Sequence, residues 1–233
     1  MLPLFRHRQR PGAALSEPAS IPRWGDSRRT RIGLLGGSFN PAHPGHRHIA
    51  WVARRRLRLN QVWLMVSPGN PLKPVRGMHT LAHRLESARR IADARRIVAT
   101  DIEVRLGTRY TRDTLALLAR RFRRARFVWL MGADNLEQFP HWNHWLAIAR
   151  TCVFAVLPRP TYNYPALSGQ AAQRLRHARR TARLAPTLAE LAPPTWIFLP
   201  ASQHSASATA IRTAVSGVSN HPQEAPCTAL AAG

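Results

Sequence analysis

The sequence predicts an α/β fold, a parallel sheet with helices on both faces. Two observations carry that expectation. Short apolar runs alternate with stretches whose apolar residues recur at helical spacing, and each strand candidate ends in a glycine or proline loop. Ligands of such folds bind at the carboxyl ends of the strands. That is where the polar, glycine-rich segments of this chain fall.

Residues 31–35 are a short apolar run that meets Gly36 and Gly37, as a buried strand feeding a tight turn does. A helix is predicted over 46–57. A second strand, 61–66, is closed by the turn formers Ser67, Pro68, Gly69, Asn70 and Pro71. Residues 81–91 read as a helix, 97–99 as a short strand, and 113–122 as a helix with leucine and alanine on one face of a basic background. Residues 127–131 form the clearest later strand, ending at Gly132 before Asp134 and Asn135. Residues 152–157 repeat the pattern, with a stop at Pro158, Arg159 and Pro160. The Ala/Arg/Leu-rich stretch 168–191 reads as helical. Residues 196–199 make a last strand before a polar loop and a helix starting near Ser207.

A chain of 233 residues, 45% hydrophobic, is long enough to bury one substantial core. The expected organisation is a basic, proline-containing extension over 1–29, one catalytic domain over 30–215 and a Pro/Ala/Ser-rich tail over 216–233, both ends disordered. No apolar run approaches the roughly 20 residues that cross a bilayer, and the N-terminal residues lack the apolar centre of a secretory signal. Cys152 and Cys227 lie in unlike contexts, which argues against a disulfide and for a reducing, cytoplasmic setting. The formal charge of +24 attracts nucleic acid, acidic membranes and phosphorylated small molecules alike. Lys73 is the only lysine, so the excess is arginine, which a genome-wide coding bias also produces.

Two segments carry chemistry. Gly36, Gly37 and Ser38 lie between a strand and a helix, where backbone N–H groups converge on an anion near the positive helix end. A glycine pair alone equally describes a plain tight turn. His43, Pro44, Gly45 and His46 add two imidazoles one helical turn apart, with a glycine between them that lets phosphate approach. A metal pair and two surface histidines are the competing readings, and a metal site would want a third protein ligand, none of which is identifiable nearby.

The run from Gly36 to His46 resembles the signature of the nicotinate-nucleotide adenylyltransferases, within the nucleotidyltransferase superfamily that carries His/Thr-x-Gly-His. Ser207, Ala208, Thr209, Ala210, Ile211 and Arg212 resemble the second motif of that family, Ser-Ser-Thr-x-Ile-Arg, with Ala208 in place of its middle serine. Residues 68–73, the Tyr110-Thr111 segment, the Gly132 to Asp134 turn and Trp142 resemble further family segments, so that the likeness spans about 31–214. The resemblance implies a Rossmann-like nucleotidyltransferase fold and adenylyl transfer from ATP, accompanied by Mg2+, to nicotinate mononucleotide in NAD biosynthesis. It implies catalytic roles for His43, His46 and Arg212. It assigns ATP to Gly36, Gly37, Ser38, Phe39, His43, Gly45, His46, Gly132, Asp134, Ser207, Thr209 and Arg212. The mononucleotide falls to Ser38, Asn40, Lys73, Tyr110, Thr111 and Trp142, with no protein-held metal.

Trp142 and Trp145 are three apart on a predicted helix, Trp145 as core and Trp142 as ligand contact. A basic nucleic-acid-binding protein is the reading from another class. RNA-recognition modules of the RRM type carry paired aromatic motifs on strands, and this chain has none. The expected partners are therefore small molecules, without a specific nucleic acid or a membrane. Oligomeric assembly is left open.

Overall fold

A computed structural model describes residues 21–22, 25–69 and 77–202. Strand β1 (Arg31–Gly37) leads to helix α1 (Pro44–Arg56), β2 (Gln61–Val66), α2 (Leu81–Ile91) and β3 (Ile97–Thr100). Helices α3 (Ile102–Leu106) and α4 (Thr111–Arg121) return the chain to β4 (Arg126–Gly132). Then come α5 (Ala133–Gln138), a 3-10 turn (Phe139–His141), α6 (Trp145–Thr151) and β5 (Val153–Leu157). Helices α7 (Asn163–Ser168) and α8 (Gln170–Arg174), a two-residue β6 (Arg179–Arg180), a 3-10 helix (Ala182–Glu190) and β7 (Trp196–Phe198) complete the order.

Among the described residues, seven strands pair in parallel, in the order β3-β2-β1-β4-β5-β7-β6. The predicted α/β class is thereby met. Because the sheet is covered on both faces, successive residues of a strand enter opposite cores. Leu34, Trp63, Met65, Trp129, Met131, Phe154 and Trp196 pack into one cluster with α4, α5 and α6. Leu35, Val62, Leu64, Leu130, Ala155 and Ile197 pack into the other with α1, α2 and residues 182–190. Each such large apolar side chain contributes roughly 1.5–3 kcal/mol on burial. The buried Trp196 indole donates to Leu175 O at 2.9 Å and stacks on Phe154, so its polar N–H is satisfied.

Four expectations change. Gly36 and Gly37 are the last residues of β1, level with Met65 and Val66, and not part of the turn. A Cβ on Gly36 would stand 2.8 Å from the Trp129 ring, so the glycine serves close packing, and the chain turns instead at Phe39 (φ 48°), Asn40 and Pro41. Trp142 lies outside any helix, in extended backbone between the Phe139–His141 turn and α6, because Pro140 and the left-handed His144 (φ 51°) interrupt the run. The stretch 168–191 is broken into short pieces: Gly169 and Thr181 are extended, and Pro186 confines residues 182–190 to a 3-10 helix. Lastly, Ile21 is buried in the core and its carbonyl accepts from Arg105 Nη1 at 2.6 Å, so packing starts upstream of Thr30. Among the described residues, no helix is long and apolar enough to cross a membrane.

Candidate active site

The strand order reverses direction between β1 and β4, and at such a switch point a parallel sheet opens a crevice beyond its carboxyl edge. Leu35 pairs with Leu130, so the same register two residues on puts Gly37 level with Gly132. The loop that follows Gly37 carries Ser38, Phe39, Asn40 and His43, the first turn of α1 carries Gly45 and His46, and Asp134 follows Gly132. Two segments nearly 100 residues apart in sequence are thus neighbours.

His43 is the N-cap residue of α1 and Pro44 its first residue, where a missing N–H costs nothing. His46 completes the first turn. The His43 N–H donates to His46 Nδ1 at 3.2 Å, and the His46 N–H donates to His43 O at 2.9 Å. An accepting Nδ1 carries no proton, so the neutral His46 ring holds its proton on Nε2. The two rings lie against each other at a 36° tilt with centroids 3.8 Å apart, and Phe39 packs on His46 at 4.8 Å. His43 is only 2% exposed while His46 is half-buried, so His46 presents the more accessible imidazole. Both stand at the positive end of a 13-residue helix.

Asp134 lies in the first turn of α5 and faces Arg159, just past β5, with Arg159 Nε 3.5 Å from Asp134 Oδ1. A Cβ on Gly132 would meet both groups, so only glycine lets this pair close over the strand end. Gly45 and His48 of α1, Leu157, Arg159 and Ser202 line a cleft that adjoins the pair.

On the other flank, α4 runs back against the strands, which brings its N-terminal Tyr110 and Thr111 to the carboxyl edge. Tyr110 is 38% exposed. Beneath it Glu103 is 6% exposed and accepts from Thr114 Oγ1 at 3.2 Å. Burial pushes this carboxyl up to about 7, against the opposing effect of the Thr114 hydrogen bond. Trp142 is half-buried and meets Trp129 and Phe139 edge-on, at 6.1 and 5.4 Å. Trp145, likewise half-buried, packs on Phe139 as a core residue would. The Asn40 amide bridges to the backbone, donating to Gly77 O and accepting from the His79 N–H. Lys73, Ser207, Thr209 and Arg212 lie outside the described residues.

Sequence reasoning did not find Arg84, Ser87, Glu103 or Arg159. Arg84, 2% exposed, donates to four backbone carbonyls beneath the loop, although burial disfavours its charge. Nothing local separates it from the other helical arginines. Arg159 did have a signal, its place directly after a parallel strand.

The cytidylyltransferase-like family model matches residues 34–214. A protein of Gluconacetobacter diazotrophicus named probable nicotinate-nucleotide adenylyltransferase is 59% identical over 205 residues, covering 88% of this chain and 95% of the relative. Proteins of the same name from Gluconobacter oxydans and Parvibaculum lavamentivorans are 61% and 51% identical over 182 residues, 78% of this chain and 93% and 90% of theirs. In three dimensions the chain resembles the Plasmodium falciparum nicotinic acid mononucleotide adenylyltransferase complexed with NaAD. That likeness has a TM-score of 0.59 at 14% identity over 79% of this chain and 83% of that one, and it speaks for the fold alone. With the family model spanning the sheet and both strand-end loops, and with these identities over nearly whole relatives, the chain belongs to the nicotinate-nucleotide adenylyltransferases of the cytidylyltransferase-like family.

Proposed function

We propose that this protein transfers the adenylyl group of ATP to nicotinate mononucleotide, releasing pyrophosphate and forming nicotinate adenine dinucleotide. The observation that carries the reading is the His43 to His46 turn at the start of α1, directly after the central strand β1 and beside Gly132 and Asp134. A phosphate oxygen of the mononucleotide attacks the α-phosphorus of ATP in line, a bond to that phosphorus forms, and the bond to the leaving pyrophosphate breaks. No protein nucleophile is required. Transfers of this type ask the protein for positioning and charge stabilisation.

His46 donates from Nε2 to the α-phosphate as negative charge builds there. His43, the N-terminus of α1, Gly45 and Ser38 hold the neighbouring phosphates, and the resemblance adds Ser207, Thr209 and Arg212. We assign the nucleoside end of ATP to the cleft beside Arg159, with Asp134 and Gly132 at the ribose. Tyr110 and Thr111 begin α4, whose backbone N–H groups suit an acceptor-only carboxylate better than an amide. Nicotinate is therefore the favoured base, with Trp142 beside it and Lys73 on the mononucleotide phosphate.

Among the described residues, no three His, Cys, Asp or Glu side chains converge, and Asp134 faces Arg159. That donor set does not fit a magnesium ion held by the protein. Mg2+ travels as the magnesium complex of ATP, whose phosphates and water supply the oxygens that ion prefers. A reducing cytosol is the proposed setting, and residues 30–215, with Ile21 packed against them, the catalytic unit.

The deciding experiment measures pyrophosphate release from magnesium-ATP with nicotinate and nicotinamide mononucleotides in parallel. Release with nicotinate mononucleotide, faster than with the amide, is expected. Equal rates would overturn the acceptor preference, and no release with either would overturn the reaction.

A further inference from the structure

Helix α2 holds the histidine loop from beneath. Arg84 Nη1 donates to Ser38 O and to Ser67 O, both at 2.8 Å; Nε donates to His79 O at 3.0 Å, and Nη2 to Pro68 O at 3.3 Å. One buried guanidinium thus joins the loop after β1, the loop after β2 and the approach to α2. All four acceptors are backbone carbonyls. One turn along α2, the Ser87 hydroxyl accepts from the Ala42 N–H at 3.0 Å and lies 3.3 Å from Phe39 O. Asn40 is tied to Gly77 and His79. The chain from Ser38 to Ala42 is therefore fastened along its length, and the next residue is His43.

We propose that Arg84 is a positioning residue for nucleotidyl transfer, setting the loop that carries His43 and leads into His46, and locking it to Ser67 and Pro68 after β2. The proposal rests on the reaction given above. The planar fork is what the position requires: its donors reach carbonyls of three separate segments, whereas a lysine ammonium offers its donors from a single point. Phe39 transmits the loop's position to the imidazole, because its ring packs on His46 at 4.8 Å. Displacements of about 1 Å remote from the reacting atoms can reduce turnover by roughly 10²-fold.

The test uses the full chain and Arg84→Lys, alone and combined with His46→Ala, reading kcat, KM for each substrate and the melting temperature. Arg84→Lys is expected to lower kcat by about tenfold or more, with a smaller change in either KM. In the His46→Ala background the same substitution is expected to cost less than about twofold, because residues acting through one another are not additive. Equal fold losses in both backgrounds, or an unchanged kcat in the single variant, would overturn the role. Should Arg84→Lys fail to fold, Ser87→Ala enters the same cycle with the same expected and overturning outcomes. An inactive wild-type chain overturns the reaction itself, whereas an active one with additive variants overturns only the positioning role.

Discussion

His46 has its ring oriented by the His43 N–H on Nδ1 and by Phe39 and His43 beside it, and in the proposed mechanism its Nε2 donates to substrate. His46→Ala is expected to reduce turnover by roughly 10²-fold, the usual cost of losing a transition-state donor, with the fold retained. Steady-state pyrophosphate release together with circular dichroism checks this, and near-normal turnover would remove the residue from the mechanism. Glu103 bears on stability. Its carboxyl moves from 4.5 to about 7, so between those values the folded chain keeps a proton that the unfolded chain has lost. Stability is thus fully present below about pH 4.5 and declines as pH rises through 7, by about 3 kcal/mol. Glu103→Gln is expected to raise the melting temperature relative to wild type more at pH 8 than at pH 5. An equal shift at both would show that the carboxyl does not titrate in this range.

At the level of the elements, β1 illustrates how a glycine motif serves packing as well as binding. Gly36 packs against the Trp129 ring, while a Cβ on Gly69 would have nothing within 4 Å. Gly36→Val is expected to cost about 1–3 kcal/mol through overpacking, and Gly69→Ala to stay within about 0.5 kcal/mol. Urea midpoints of the two variants test the contrast; equal midpoints would mean that Trp129 moves aside freely. Strands β1 to β5 and β7 were legible because sheets buried on both faces read as continuous apolar runs, whereas β6, two exposed arginines inside the stretch read as helical, was not. The short helices α3 and α7 were not, since five or six residues carry too little periodicity to register. The histidine turn was legible, and its floor was not, because Arg84 bonds to carbonyls, and every residue type has one.

Across the whole molecule, one sheet is the middle layer for both cores, so neither can be lost without exposing the other. Urea unfolding is expected to be a single transition, with tryptophan fluorescence and far-ultraviolet circular dichroism coinciding. Trp63, Trp129 and Trp196 report on one face of the sheet, and separate midpoints would reveal independently unfolding layers. The sequence by itself determined the alternation of strands and helices, the glycine-histidine turn and the family likeness, all of which depend on residues close in the chain. Only the tertiary structure decided that β1 and β4 are neighbours, that Asp134 meets Arg159, and that Arg84 reaches carbonyls up to 46 residues away. Those pairings follow from strand order, and strand order is settled by how two apolar faces are buried together rather than by any local pattern.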